Sequence, residues 1–179
     1  MTKNETIAVN YFKTLVESFI AHPKELNVTA REGQDWVRVK PWPDSRDFGR
    51  IVGTGGETYK RLTNLMELAG IKAGKQFVLE RLPSTYGPRE TKLPGKTKAD
   101  WNGADTMAVA TILHNILDGI LTFQPTIMAE GDSKSTIFKV KIDDNEPLAS
   151  HHEEVIECVS RIIGAVGFVR GRDIKVKPA

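Results

Sequence analysis

Asp47-Phe48-Gly49-Arg50-Ile51-Val52-Gly53-Thr54-Gly55-Gly56-Glu57-Thr58-Tyr59-Lys60-Arg61-Leu62 sets a cluster of glycines, Gly53, Gly55 and Gly56, between a short amphipathic run and a longer one. From Leu62 the apolar residues fall at Leu65, Met66 and Ala69, the spacing of one helical face, and Gly70 is expected to close that helix. Upstream, Phe48, Ile51 and Val52 share a face, with Asp44 as candidate N-cap. The stretch thus predicts two helices joined by a tight turn over Gly53 to Gly56. Glycine lets a backbone approach a ligand closely, and the start of a helix offers N–H groups and a positive dipole end. Arg50, Lys60 and Arg61 flank the turn, so a nucleic-acid backbone suits this chemistry.

Other glycine-rich patterns fit less well. A dinucleotide fingerprint needs glycine where Thr58 stands and a strand before the loop, and a P-loop needs Gly-Lys followed by Ser or Thr. An ordinary glycine turn between packed helices is the plain alternative, so the neighbouring elements carry the weight. Residues 7–21 read as a helix, with Phe12, Leu15, Val16, Phe19 and Ile20 recurring at three and four, and Pro23 ends it. Asn27 to Arg31 and Trp36 to Lys40 read as strands around a turn at Glu32-Gly33-Gln34-Asp35. In the second strand Val37 and Val39 share one face, with Trp36, Arg38 and Lys40 on the other. Pro41-Trp42-Pro43 is expected to break it, and Lys75 to Leu82 reads as a third strand.

The order α-β-β-α-α-β around Gly53-Thr54-Gly55-Gly56, preceded by Ile51-Val52, resembles the type II KH fold. It is most similar to the small KhpA-type RNA-binding proteins of bacteria, over residues 8–82. The resemblance implies a cytoplasmic, bacterial or phage RNA-binding protein without catalytic activity or cofactor. Its Gly-x-x-Gly loop would clamp about four nucleotides of single-stranded RNA, or less favourably single-stranded DNA. The amides of Thr54, Gly55, Gly56 and Glu57 would hold phosphates, Ile51 and Val52 would floor the groove, and Arg50, Lys60 and Arg61 would supply charge. Many such loops carry a basic residue mid-motif, where this chain has Thr54 and Gly55.

The second half repeats the pattern. Val109, Ile112, Leu113, Ile116, Leu117 and Ile120 form a helical stripe, and Thr126 to Glu130 and Thr136 to Ile142 read as strands. Val155, Ile156, Val159, Ile162, Ile163 and Val166 form a second stripe before a last strand at Asp173 to Val176. Gly70 and Gly167, and Gly74 and Gly171, recur at the same offset, which carries the glycine turn onto Ser150-His151-His152-Glu153. The expected fold class is therefore α+β. Two tandem KH-like units each pack a three-stranded sheet on helices, with domains at 1–82 and 101–179 and a basic Pro/Gly linker at 83–100.

Charge separates the halves. Residues 1–97 carry 16 Lys or Arg against 11 Asp or Glu, whereas residues 98–179 carry 9 against 12. The first balance is +5 and the second −3, so a polyanion is expected at the first half, and a protein partner or homodimer contact at the acidic second. The single cysteine, Cys158, lies in an apolar stripe, which excludes a disulfide within the chain. No apolar run is long enough to span a membrane, and no signal core follows Met1. His151, His152, Glu153 and Glu154 lack metal-ligand spacing and read as a solvated helix start. Trp36, Trp42, Trp101 and Tyr59 are the aromatics able to stack on bases. Trp42, between two prolines, is the most exposed candidate, with core or interface packing the ordinary alternative for each.

Overall fold

In the computed structural model, which describes residues 1–82, 103–131 and 135–179, α1 spans Lys3–Val16 and opens on a reciprocal cap. Thr2 Oγ1 accepts the Glu5 N–H at 3.2 Å, and the Glu5 carboxylate accepts the Thr2 N–H at 2.7 Å. This cap starts the helix four residues before the expected Ile7. The helix ends at Val16, so Phe19 and Ile20 are buried from the turn beyond it.

β1 (Asn27–Glu32) and β2 (Trp36–Trp42) form an antiparallel hairpin. The other oxygen of Glu5 accepts the Glu32 N–H at 2.9 Å, tying the start of α1 to the end of β1. β2 runs through Pro41 rather than breaking before it. β3 (Gln76–Leu79) lies parallel to β2, and the Glu80 N–H donates to the Val39 carbonyl at 2.8 Å. Odd residues of β2 therefore turn their backbone groups toward β3, which ends before Pro41, so the missing N–H leaves no ladder bond unmade. The third strand is shorter than the expected Lys75 to Leu82.

Two helices separate the hairpin from β3: α2 (Phe48–Val52) and α3 (Glu57–Ala73), joined by a 3-10 turn at Thr54–Gly56. Asp47, not Asp44, occupies the position before α2. Arg46 donates to Asp44 from its amide at 2.8 Å and its Nε at 2.7 Å, holding that carboxyl well below the usual carboxylate range. Gly70 does not end α3 but lies buried within it, because a Cβ there would stand 2.4 Å from the Lys75 carbonyl oxygen and 2.7 Å from the Phe77 nitrogen. Gly74, at φ +68°, is the cap. The sheet order is β1-β2-β3, and Val37, Val39, Phe77, Phe12, Leu62 and Leu65 line the core beneath it.

The second unit builds the same sheet from α4 (Gly103–Asp118), β4 (Thr126–Gly131), β5 (Ser135–Lys141), α5 (His152–Val169) and β6 (Asp173–Pro178). Its order is β4-β5-β6, again antiparallel then parallel. The hairpin Asn27–Glu32/Trp36–Trp42 maps onto Thr126–Gly131/Ser135–Lys141 residue for residue, a shift of 99. Gly167 repeats Gly70 inside its helix, its Cβ position 2.6 Å from the Arg172 carbonyl oxygen, and Gly171 repeats Gly74 at φ +71°. A 3-10 turn, Ala149–His151, stands where the first unit has α2 and the glycine turn. The architecture is α+β in both units. The chain divides into Met1–Leu93 and Pro94–Ala179, and the sequence-predicted linker at 83–100 lies outside the described residues, as does Trp101.

Candidate nucleic-acid interface

The turn between α2 and α3 takes a path that side chains resist. Gly53, Gly55 and Gly56 have φ of +72°, +63° and +81°. Gly53 is constrained twice, since a Cβ there would lie 2.1 Å from Thr58 Oγ1. At Gly55 and Gly56 a Cβ would meet nothing, so only backbone conformation asks for glycine. The Gly56 N–H donates to the Gly53 carbonyl at 3.2 Å and the Glu57 N–H to the Thr54 carbonyl, closing the turn. Thr54 and Gly55 form its exposed crown. Gly56 is the N-cap of α3 and, being glycine, brings no side chain to the cap, while Glu57 is the acid of the helix's first turn.

The flanking residues divide. Lys60 and Glu57 are exposed beside the turn, and Val52 is half-buried. Arg61 reaches Glu57 at 3.8 Å with its side chain 18% exposed. Ile51 is fully buried, so it supports the turn from the core. Arg50 is turned inward, its guanidinium 3.5 Å from the carboxylate of buried Asp47. Tyr59, in the first turn of α3, donates its hydroxyl to the Glu80 carbonyl and so fixes the glycine turn to the end of β3. Burial pushes that hydroxyl's pKa up, and the nearby Glu80 charge adds to the shift.

Asp47 is a residue the sequence reading passed over. Its two carboxylate oxygens accept the N–H groups of Ala21 and His22, each at 2.8 Å, and the His22 Nδ1 lies 3.0 Å away. It thereby clasps the chain leaving α1 to the start of α2, and so to the glycine turn. Glu146 does the same in the second unit, one oxygen accepting the N–H groups of Thr122 and Phe123 at 2.8 and 2.9 Å. Asp47 to Glu146 is the hairpin's shift of 99, a regularity that a comparison of acidic residues between the halves would have exposed.

Trp36, Arg38, Lys40 and Trp42 alternate with buried Val37, Val39 and Pro41 along β2, on the sheet face turned away from the core. Arg38 lies 4.8 Å from the Trp36 ring centroid and Lys40 4.7 Å from that of Trp42. In the second unit Ser150 and His151 sit in the 3-10 turn and His152 and Glu153 open α5, with no positive φ among them. Among the described residues, no group of three or more His, Cys, Asp or Glu could hold a metal ion, and no helix is long and apolar enough to cross a membrane.

No protein-family model matches the chain. A solved structure described as "Crystal structure of APE1850" is similar at 14% identity, covering 99% of this chain and 100% of that one. Its TM-score of 0.26 is too low to bear on fold or function.

Proposed function

We propose that the first unit is a KH-type module that binds single-stranded RNA along the turn Gly53 to Gly56. The observation that carries this reading is the turn of three positive-φ glycines, exposed at Thr54 and Gly55, that opens α3 on a glycine N-cap. The Thr54 and Gly55 amides at its crown, the positive end of α3 and the exposed Lys60 together suit a phosphate backbone. Arg61 adds charge from beside Glu57. Arg50 acts through Asp47 in shaping the turn, and Ile51 and Val52 support its underside. The biological setting this suits is post-transcriptional, or that of an RNA chaperone in the cytoplasm, with no catalysis and no cofactor.

Replacing Thr54 and Gly55 by aspartate tests it. Both positions are exposed, Gly55 has open space for a side chain, and aspartate tolerates left-handed backbone better than most residues. Affinity for a labelled oligouridine should fall by more than about tenfold, since two carboxylates would meet phosphate where amides did. Circular dichroism should stay unchanged, and melting should fall only slightly, by the strain of a side chain at the positive φ of position 55. A double variant that binds as the parent does would end the reading. Binding should also be only modestly sensitive to salt, releasing roughly two to four ions, and duplex RNA should bind much more weakly.

The rival reading is a protein-interaction module. Phe168, 68% exposed at the end of α5, favours a protein contact or homodimer through the second unit, where the turn has no left-handed glycine. An absorbance ratio of purified protein typical of carried nucleic acid would favour the first reading.

A further inference from the structure

We propose that the open face of the β1-β2-β3 sheet is a second contact surface for single-stranded nucleic acid, distinct from the glycine turn. It would extend the grip on a strand longer than the turn can hold. This inference rests on the reading of the first unit as an RNA-binding module.

Three observations converge on that face. Its cations are placed against one another: Arg31 of β1 stands directly opposite Arg38 of β2 in the antiparallel register, an arrangement that disfavours the sheet when nothing answers the charge. The nearby carboxylate, Glu80, reaches Arg38 and Lys40 at 3.7 Å each, and such long, solvent-exposed pairs hold little. Arg31, Arg38 and Lys40 against Glu80 leave the face positive.

The aromatics are also held in place. The Trp36 ring lies over Gly33, where a Cβ would come within 2.4 Å of it, with the Arg38 guanidinium stacked upon it. Trp42 carries Lys40 in the same way and is 39% exposed. Ring and charge are thus offered as units along one strand, the combination that lets bases stack while the adjoining phosphates meet cations. A polyanion carrying flat apolar groups complements this face, whereas an acidic peptide would leave the rings unused.

The third observation is continuity. Tyr59 joins the first turn of α3 to the Glu80 carbonyl, and the Glu80 N–H joins β3 to Val39 of β2. β3 is an edge strand, so nucleic acid leaving the glycine turn crosses one strand to reach Lys40 and Trp42.

The test uses the full chain and labelled oligouridines of four and twelve nucleotides. A four-nucleotide strand fills the glycine turn, so the longer one should bind roughly tenfold more tightly if it also stacks on the sheet. Arg38→Glu with Trp42→Ser should abolish that gain and leave the four-nucleotide affinity unchanged. Trp42→Phe, which keeps a ring, should retain it. The twelve-nucleotide strand should quench tryptophan emission, and the quenching should shrink in Trp42→Phe. A length gain untouched by the sheet variants, or no gain with length at all, overturns the proposal while four-nucleotide binding leaves the glycine turn standing. Loss of four-nucleotide binding in Thr54→Asp/Gly55→Asp with the length gain kept supports both surfaces. A parent chain that binds neither strand overturns both.

Discussion

Each unit buries an acid that holds two successive amides in the chain leaving its first helix, yet the two acids are supported differently. Asp47 spends both oxygens, on the Ala21 and His22 amides, and has His22 and Arg50 at its side. Glu146 spends one oxygen on both amides, and its Oε1 has no hydrogen-bond partner among the described residues. Beside Glu146, Phe123 stands where the first unit has His22 and Ala149 where it has Arg50, so neither an imidazole nor a guanidinium is offered there. The clasp therefore belongs to the fold, since both units have it. The added guanidinium of Arg50 occurs in the unit whose clasp leads into a glycine turn.

The largest expected effect tests that difference. Asp47→Asn would point an amide at donors in a site already crowded with them, and should destabilise the first unit by about 3 kcal/mol or more. Glu146→Gln can keep its accepting oxygen in place and put the new amide where Oε1 lacks a partner, for a cost under about 1 kcal/mol. Urea unfolding of both variants checks this, and equal costs would break the distinction.

The next effect sharpens the likeness. Gly70→Ala and Gly167→Ala should each cost about 1–3 kcal/mol, because a methyl group must push away the backbone that enters the following strand and, at Gly167, the Ile174 side chain too. Markedly unequal losses of unfolding free energy would mean that the two helix–strand contacts are not equivalent. A smaller effect of opposite sign is expected at Gly164 of α5, where the nearest atom to a Cβ is 3.8 Å away and φ is not left-handed. Gly164→Ala should stabilise the second unit by about 0.4–1 kcal/mol, visible as a raised melting temperature.

The smallest effect concerns charge. The open face of the second sheet carries Lys139, Lys141, Lys175 and Lys177, although its half of the chain is acidic overall. Lys139 is paired with Glu130 at 2.9 Å and Lys175 with Asp173 at 3.5 Å, and among the described residues the face carries no aromatic ring. Lys141→Ser with Lys177→Ser should therefore change RNA affinity less than about threefold, through long-range attraction alone. A tenfold loss in a binding titration would move a principal site into the second unit.

Much of this was legible in the sequence because some residue choices have few causes. Three glycines in a four-residue turn announce left-handed backbone, and Val37 and Val39 alternating with Trp36, Arg38 and Lys40 announce a sheet with one open face. Gly70 and Gly167 were visible but ambiguous. A helix cap and a close helix–strand contact both call for glycine, and here contact was the cause. Thr2 and Glu5 spelled a capping box that would have placed the start of α1 correctly. Asp47 and Glu146 were not legible locally, because their partners lie about 25 residues back along the chain and follow no helical or strand period. Arg50 looked like a phosphate ligand for the same reason: its carboxylate partner is seen only once Asp47 is known to be buried.

The Asp47 clasp also sets a clock. The Ala21 and His22 amides give up their protons to solvent when the carboxylate releases them, and that carboxylate stands at the doorstep of α2. Their deuterium exchange thus reports how often the stem of the glycine turn breathes, without any ligand present. Slow exchange there would describe a turn that meets its guest already shaped, so that little of the binding energy is spent in ordering it.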